Sequence, residues 1–312
     1  MDILFVMDPL AGVSRESDTT FDLMVAAEKR GHSVWWCGPS ALGISEGHVV
    51  AHAVCVSLKR ETPHFSVKQE RELVLTEIGA TFMRKDPPID ALFFQATLLL
   101  HMAHEQGAHV FNRPASLLLA NEKLYALNFP RWIPETVITS RLSEVRAFVS
   151  KHGVSILKPL DGNGGRGIFR TQPGDSNLAP MVEALSNHGR WQILVQRYLP
   201  AVDRGDKRII LVDGEPLGAI NRIAATGEHR SNLHVGGRAE AAEISARERE
   251  MCAALAPSLR RDGLLFVGID VIGGFLTEVN VTSPTGVQEI RALCGIDISP
   301  RVIEHIEAHS VH

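Results

Sequence analysis

A chain of 312 residues exceeds what one hydrophobic core usually organises, so two or three domains are expected. With 45% hydrophobic and 22% charged residues, the composition is that of a globular enzyme. The formal net charge of −4, with no long Lys/Arg block, argues against a nucleic-acid partner. No apolar run reaches the roughly 18 residues that would cross a bilayer, so no membrane association is expected. The opening Ile3-Leu4-Phe5-Val6 lacks a basic leader, and no signal peptide is expected. Cys37, Cys55, Cys252 and Cys294 are scattered without a Cys-x-x-Cys pair, which favours free thiols in the cytoplasm. The i,i+4 histidines at 48/52 and 305/309 have no Glu or Cys at metal-site spacing and read as surface residues.

Residues 3–7 read as a buried strand, Phe21 to Arg30 as a helix stopped by Gly31, and Ser33 to Cys37 as a second strand. Strand–helix–strand predicts an α/β unit with parallel strands. The loop Asp8 to Gly12 then lies at the carboxyl edge, where open α/β sheets bind ligands. Gly43-Ile-Ser45-Glu-Gly47 formally matches a nucleophile elbow, which needs a strand before it and a helix after it. A Pro39-Ser40 turn precedes it and strand-like His48 to Ala53 follows, so the segment reads as a hairpin turn. Arg84-Lys85-Asp86-Pro87-Pro88 follows the apolar Ala80 to Met83, and its paired prolines fix an extended loop carrying two cations at a strand end. That loop is either a stiff surface element or an anion clamp, for which Arg84 has the two-pronged donor geometry. A helix over Ala91 to Glu105 and a strand over His109 to Asn112 complete a first domain, with a boundary near residue 122.

A second segment opens on Asn121-Glu122-Lys123-Leu124. Lys158 ends the apolar strand that begins at Ser155, and Asp161 to Gly167 follows with a Gly-x-Gly-x-x-Gly spacing. A dinucleotide fold needs a helix at that point, whereas Gly167-Ile-Phe-Arg-Thr is strand-like. Strand, glycine loop and strand instead suit a lid whose bare N–H groups fold over nucleotide phosphates. A helix over Leu178 to His188 leads to a strand over Gln192 to Arg197, then Tyr198-Leu199-Pro200, an aromatic–proline hinge. Asp206-Lys207-Arg208 opens a strand that turns at Asp213-Gly214 and returns over Leu217 to Ile223 with Arg222. Antiparallel pairing here makes the C-terminal part α+β. The polar, glycine-bearing run Thr226 to Arg238 reads as a mobile active-site cover or as a plain connector. Helices follow over Ala246 to Arg261 and Ser299 to His309.

Between those helices, Gly268 to Gly286 holds two apolar β-branched runs around Gly273-Gly274 and predicts a β-hairpin. Glu278 and Asn280, two apart on one strand, share a face. A three-residue loop, Gly273 to Phe275, is expected because it sets Asp270 opposite Glu278; a two-residue loop would place them on opposite faces. Two carboxylates and an amide oxygen among apolar residues form a hard ligand set suited to Mg²⁺, with Mn²⁺ the alternative. Lysines, a glycine lid, hairpin arginines and this acidic face are parts for ATP chemistry without a covalent protein nucleophile.

In that order the motifs resemble the ATP-grasp ligases, and along the whole chain the prokaryotic glutathione synthetase family. The stretches that carry the resemblance are Met7-Asp-Pro9, Met83-Arg-Lys-Asp-Pro-Pro88, Asn121-Glu-Lys-Leu124, Ile156-Leu-Lys-Pro-Leu-Asp-Gly-Asn-Gly-Gly165, Gln196-Arg-Tyr-Leu-Pro200, Gly205-Asp-Lys-Arg208, Arg230-Ser-Asn-Leu-His-Val-Gly-Gly-Arg238 and Glu278-Val-Asn-Val-Thr-Ser-Pro-Thr285. The resemblance implies an ATP-grasp fold, α/β and α+β, behind an N-terminal parallel-sheet domain. It implies three domains: 1–122, a central lid domain 123–202 and a catalytic domain 203–312. It implies ligation of γ-glutamylcysteine to glycine, with ATP converted to ADP and phosphate through an acylphosphate. Lys123, Lys158, Gly164, Gly165 and Asp206 would bind ATP, and Gln196, Arg197, Tyr198 and Leu199 would line its adenine. Asp270, Glu278 and Asn280 would hold two Mg²⁺ ions. Arg208 and Arg222 would stabilise the acylphosphate and the tetrahedral intermediate. Arg84, Ser283 and Thr285 would hold the dipeptide, with Arg230, Asn232, Gly236 and Gly237 in a cover loop that keeps water from the acylphosphate. A cytoplasmic homo-oligomer, a tetramer, is also implied. Ile89, Ala224 and Gly12 to Ser17 depart from the family pattern, all on the substrate side. Two alternatives are a ligase of the same fold acting on another acceptor and a nucleotide-binding regulator without catalysis. The regulator fits poorly, because Arg208, Arg222, Asp270, Glu278 and Asn280 are all present.

Overall fold

The structure is a computed structural model that describes residues 1–162, 164–224 and 237–310. It opens with β1 (Asp2–Val6), α1 (Thr19–Lys29) and β2 (Ser33–Cys37). Asp18 caps α1 by accepting from the Phe21 amide at 2.7 Å, and the chain turns away at Gly31 with φ +87°. Three antiparallel strands follow, β3 (Leu42–Ser45), β4 (His48–Leu58) and β5 (Phe65–Val74), then β6 (Ala80–Met83), α2 (Ala91–Glu105) and β7 (Val110–Phe111). The sheet runs β3-β4-β2-β1-β6-β7, with β5 paired to β4. Strands β2, β1, β6 and β7 are parallel as expected, while the edge formed by β3, β4 and β5 is antiparallel. The segment resembling a nucleophile elbow is a hairpin turn, with Glu46 and Gly47 both at positive φ between β3 and β4.

After α3 (Pro114–Leu119) and α4 (Glu122–Ala126) comes a second sheet. Its elements are β8 (Thr136–Thr139), α5 (Leu142–His152), β9 (Ser155–Pro159), β10 (Phe169–Thr171), α6 (Leu178–Leu185) and β11 (Ile193–Arg197), in the order β10-β9-β11-β8. Helix α6 ends three residues before the predicted His188, because Asn187 and His188 adopt positive φ and the Trp191 amide folds back onto the Ser186 carbonyl. The third sheet runs β14-β13-β12-β15-β16. It comprises β12 (Asp206–Val212), β13 (Glu215–Ile223), β14 (Arg238–Ala241), β15 (Phe266–Ile272) and β16 (Phe275–Asn280). Helices α7 (Ala246–Arg261), α8 (Val287–Cys294) and α9 (Ser299–His309) complete the described residues. Helix α7 starts at a reciprocal capping box between Ser245 and Glu248. Among the described residues no helix is long and apolar enough to cross a membrane.

The β15–β16 hairpin corrects one expectation and preserves its consequence. Its loop has two residues, Gly273 and Gly274, at φ +58° and +80°, the double positive-φ turn that matches strand twist. Ile272 pairs with Phe275 and Val271 with Leu276, but Asp270 then pairs with Glu278. Thr277 is therefore an extra residue, a bulge whose hydroxyl donates to the Asp270 carbonyl at 3.1 Å. A two-residue loop alone would have put Asp270 and Glu278 on opposite faces, and the bulge shifts the register back by one.

Burial divides the molecule unevenly. One apolar cluster joins Leu4, Trp35 and Phe93 to Ile209, Val267 and Val279, and another joins Phe5 and Phe82 to Ile210, Phe266 and Val302. The first and third sheets thus share their cores. Asn112, buried just after β7, stitches them by donating to the Phe266 and Val281 carbonyls and accepting from the Phe266 amide at 2.8 Å. The second sheet has a separate small core of Val145, Val149, Leu157, Leu178, Val182, Ile193 and Val195.

Candidate active site

A cavity of about 550 Å³ lies between the second and third sheets. The antiparallel register places alternate side chains of β12, β13, β15 and β16 on its floor. Arg208 on β12 faces Asp270 on β15 and grips it with both prongs, Nε to Oδ1 at 2.5 Å and an Nη to Oδ2 at 3.1 Å. Arg222 on β13 pairs with Asp206 across the ladder, its Nη 2.6 Å from Asp206 Oδ2 and 2.9 Å from Asp270 Oδ2. All four side chains are buried. Burial alone would push the Asp270 carboxyl up, but Arg208 and Arg222 outweigh it and hold it well below the usual carboxylate range. At Asp206 burial wins over Arg222, and with Asp270 and Glu278 nearby the carboxyl is pushed up to about 6. Arg222 is itself buried, yet Asp206 and Asp270 raise its affinity for its proton.

Beside this floor, Lys123 and Lys158 approach Glu278 from two directions, each with Nζ 3.9 Å from Glu278 Oε1. Lys158 is carried by β9, and Lys123 sits in the first turn of α4, which Asn121 caps by accepting from the Lys123 and Leu124 amides. The Lys123 ammonium also donates to the Gly162 carbonyl at 2.5 Å, which ties it to the start of the glycine loop. Gly164 and Gly165, at φ +60° and +77°, line the cavity in a backbone conformation that side-chain-bearing residues rarely adopt.

On the far wall Gln196, Arg197, Tyr198 and Leu199 line the cavity. Much of this segment is already bonded within the protein. The Gln196 amide donates to Thr136 Oγ1, Arg197 pairs with Glu135, and Arg170 lies over the Tyr198 ring at 4.4 Å. The Arg197 and Tyr198 N–H groups are committed to the Glu135 and Val154 carbonyls.

The metal-ligand expectation can be tested on the donor atoms. Asp270 and Glu278 are cross-strand neighbours, and Asn280 lies opposite Gly268 on the same hairpin. A carboxylate offers about four lone-pair positions. Arg208 and Arg222 occupy three on Asp270, which leaves Oδ1 one further bond. Asn280 is buried, and its Nδ2 has no hydrogen-bond partner among the described residues. An amide whose oxygen meets a cation and whose nitrogen meets a phosphate oxygen would satisfy both poles. Among the described residues no cluster of three His, Cys, Asp or Glu could hold a metal. The set is two carboxylates and an amide, which fits a hard divalent cation that takes its remaining ligands from phosphate and water.

The family models settle the relationship. The chain matches the prokaryotic glutathione synthetase N-terminal domain over residues 1–117 and the prokaryotic glutathione synthetase ATP-grasp domain over residues 122–295. It belongs to the prokaryotic glutathione synthetase family. Relatives named glutathione synthetase include those of Parasynechococcus marenigrum, 46% identical with 98% of each chain covered, and Thermosynechococcus vestitus, 46% identical with 97% and 98% covered. That of Vibrio cholerae is 42% identical with 97% and 96% covered. The solved D-cycloserine synthetase DcsG superposes with a TM-score of 0.69 at 16% identity, with 99% of each chain covered. The ATP-grasp ligase PsnB in complex with precursor peptide PsnA2 and AMPPNP gives 0.63 at 18%, with 98% and 97% covered. At those identities the likeness establishes the ATP-grasp fold.

In this family member the cavity gathers most residues singled out from sequence, including Ser283 and Thr285 on the loop after β16. Two described residues lie elsewhere. Gly237 precedes β14 and does not line the cavity. Arg84 is buried at 4% exposure behind the cavity wall, its guanidinium bonded to Thr20 Oγ1 and to the Thr282 and Pro284 carbonyls. Arg230, Asn232 and Gly236 fall outside the described residues. Sequence reasoning passed over Glu122 and Thr282, which both line the cavity and are joined by a 3.1 Å hydrogen bond from Thr282 Oγ1 to Glu122 Oε1. Burial, with the charge of Glu278 adding, pushes the Glu122 carboxyl up to about 7 against the pull of Lys123 and Thr282. The available signal was position: Glu122 adjoins Lys123, and Thr282 adjoins Ser283.

Proposed function

We propose that this chain joins γ-glutamylcysteine to glycine, converting ATP to ADP and phosphate. The observation that carries this reading is one cavity in which two lysines and two arginines surround Asp270, Glu278 and Asn280 beside the Thr282–Thr285 loop. The cysteinyl carboxylate attacks the γ-phosphorus and ADP leaves, giving an acylphosphate. The glycine amine attacks the acyl carbon, loses its proton, and the tetrahedral intermediate expels phosphate to form the peptide bond. Lys123 and Lys158 offset the charge of the triphosphate, and the Gly164–Gly165 backbone closes over it. Arg208 and Arg222, fixed by Asp270 and Asp206, present preorganised positive charge to the acylphosphate oxygens and the tetrahedral oxyanion.

Asp270, Glu278 and Asn280 would hold Mg²⁺, or Mn²⁺ in its place, which when bound neutralises phosphate charge and fixes the nucleotide for in-line transfer. Gln196 to Leu199 border the adenine, with the Leu199 amide the next backbone donor beyond those already committed. Ser283 and Thr285 hold the dipeptide, and Arg230, Asn232, Gly236 and Gly237 belong to the cover. Domains at 1–122, 123–202 and 203–312, a homotetramer and a cytoplasmic location complete the proposal. ADP release with Mg-ATP and γ-glutamylcysteine, with and without glycine and then with alanine or serine, tests it. Strong glycine-dependent release with glutathione as product is expected. Release with another amino acid alone would reassign the acceptor, and nucleotide binding without turnover would refute the ligation.

A further inference from the structure

The loop Thr282–Thr285 is gripped from three separate parts of the chain. Arg84, at the end of β6, donates Nη bonds to the Thr282 carbonyl at 3.4 Å and the Pro284 carbonyl at 3.2 Å, while its Nε donates to Thr20 Oγ1 at 3.0 Å. Glu122, the first residue of α4, accepts the Thr282 hydroxyl. Arg208, on β12, sends its remaining prong to the Thr285 carbonyl at 3.1 Å while holding Asp270 with the others. Every residue of the loop except Ser283 is therefore fixed by a charged side chain.

We infer that Arg84 and Glu122 are positioning residues for the substrate loop, acting through Thr282 and Pro284 rather than touching the dipeptide. Three observations support this. Arg84 is buried, does not line the cavity, and spends Nε and both Nη atoms on protein acceptors. It also lies over the Phe266 ring at 5.3 Å, a further contact that holds it toward the protein interior. Burial pushes its pKa down to about 10, with the charges of Asp86 and Asp18 opposing. Glu122 lines the cavity, but its carboxylate is occupied by Thr282 and is flanked by the like charge of Glu278, which disfavours a further anionic contact. Because Arg208 serves both the loop and Asp270, the grip also links the substrate loop to the metal-ligand face.

The inference rests on the proposed ligation for its kinetic arm and is independent of it for its structural arm. Arg84→Met, Arg84→Lys, Glu122→Gln and Thr282→Val are compared in the substrate-free protein by hydrogen–deuterium exchange. Uptake over residues 281–290 should rise in Arg84→Met and Thr282→Val, with residues 136–197 unchanged and Arg84→Lys intermediate. In the kinetic arm, kcat/KM for Arg84→Met should fall about 10–100-fold, the loss expected when reacting groups are displaced by about an ångström. The same factor should apply to γ-glutamylcysteine and to 4-aminobutanoyl-cysteine, which lacks the glutamyl α-carboxylate. Unchanged uptake, or a penalty confined to the carboxylate-bearing dipeptide, would overturn the inference and make Arg84 a direct anion clamp. If Arg84→Met fails to fold, Arg84→Lys and Thr282→Val carry both arms. A wild-type enzyme that makes no glutathione would refute the ligation, and the exchange arm would still decide the role of the loop.

Discussion

The second sheet and the body formed by the first and third sheets differ in how they are built, and the cavity uses both. The body interleaves apolar residues from the two ends of the chain and fixes the seam with Asn112. Its floor residues Arg208, Arg222, Asp270 and Asn280 are buried, and the first three are bonded to one another across neighbouring strands. The second sheet carries Lys158, the glycine loop and the Gln196–Leu199 segment on a core of seven buried apolar residues. The buried arginines and carboxylate that bond across strands lie on the larger core. The parts proposed to admit and release a nucleotide lie on the smaller one, from which local opening costs less.

The sharpest way to break this comparison is at the floor. Glu278→Gln removes the carboxylate that Lys123 and Lys158 face, and turnover should fall by about 10³-fold or more, with the circular dichroism and melting profile retained. Turnover within tenfold of wild type would remove Glu278 from the machinery. Arg222→Met should lower kcat by about 10²–10³-fold, because the oxyanion donor proposed above is lost and Asp206 and Asp270 lose a shared cation. Steady-state kinetics read the effect, and a change in KM alone would contradict it.

A smaller effect separates the two cores directly. Leu157→Ala in the second sheet should cost about 2–5 kcal/mol locally. Limited proteolysis should then cut within 136–197 while the body stays intact, whereas Leu4→Ala should destabilise the first and third sheets together. Equal proteolysis patterns for the two variants would show the cores to be one cooperative unit. The smallest effect lies on the outer seam of the body, where Glu307 meets Arg30 at 2.6 Å and His32 at 2.7 Å. The hydrogen bond from Arg30 leads in pulling the Glu307 carboxyl down to about 2, against the opposing effect of burial and with further help from His32. A depressed carboxylate pKa contributes stability above the unfolded value of about 4.5, and that contribution fades as pH falls toward 2. Thermal melts from pH 6 to pH 2.5 should show part of the acid loss absent in Glu307→Gln.

Much of this was legible in the residues because propensity and burial agree there. Helices α2, α7 and α9 run over the predicted ranges, with the Asp90 cap on α2 and the capping box on α7 as start signals. The lysines, arginines and acidic hairpin could be named because charged groups stand out within apolar strands. Strand β5 could not be read: Ser66 to Glu72 are exposed throughout, so no alternation marks a buried face. The Thr277 bulge was equally hidden, since register depends on which side chains fill the space below and not on loop length alone. Arg84 was visible as a cation at a strand end, but whether its guanidinium faces outward or inward depends on the Thr282–Pro284 loop, some 200 residues away.

Two of the tight hairpin turns also tell an experimenter where the chain can be lengthened. At Gly273 an added Cβ would lie 2.7 Å from Ala201 Cβ, and at Gly274 it would press on the Arg247 side chain. That tip is wedged between neighbours, so a tag or fluorophore-bearing insertion there would strain the hairpin that sets Asp270 against Glu278. The Glu46–Gly47 turn is exposed, and a Cβ at Gly47 would meet nothing within 4 Å. It is the natural site for an epitope or reporter graft, because the strands it joins lie in the first sheet and neither lines the cavity.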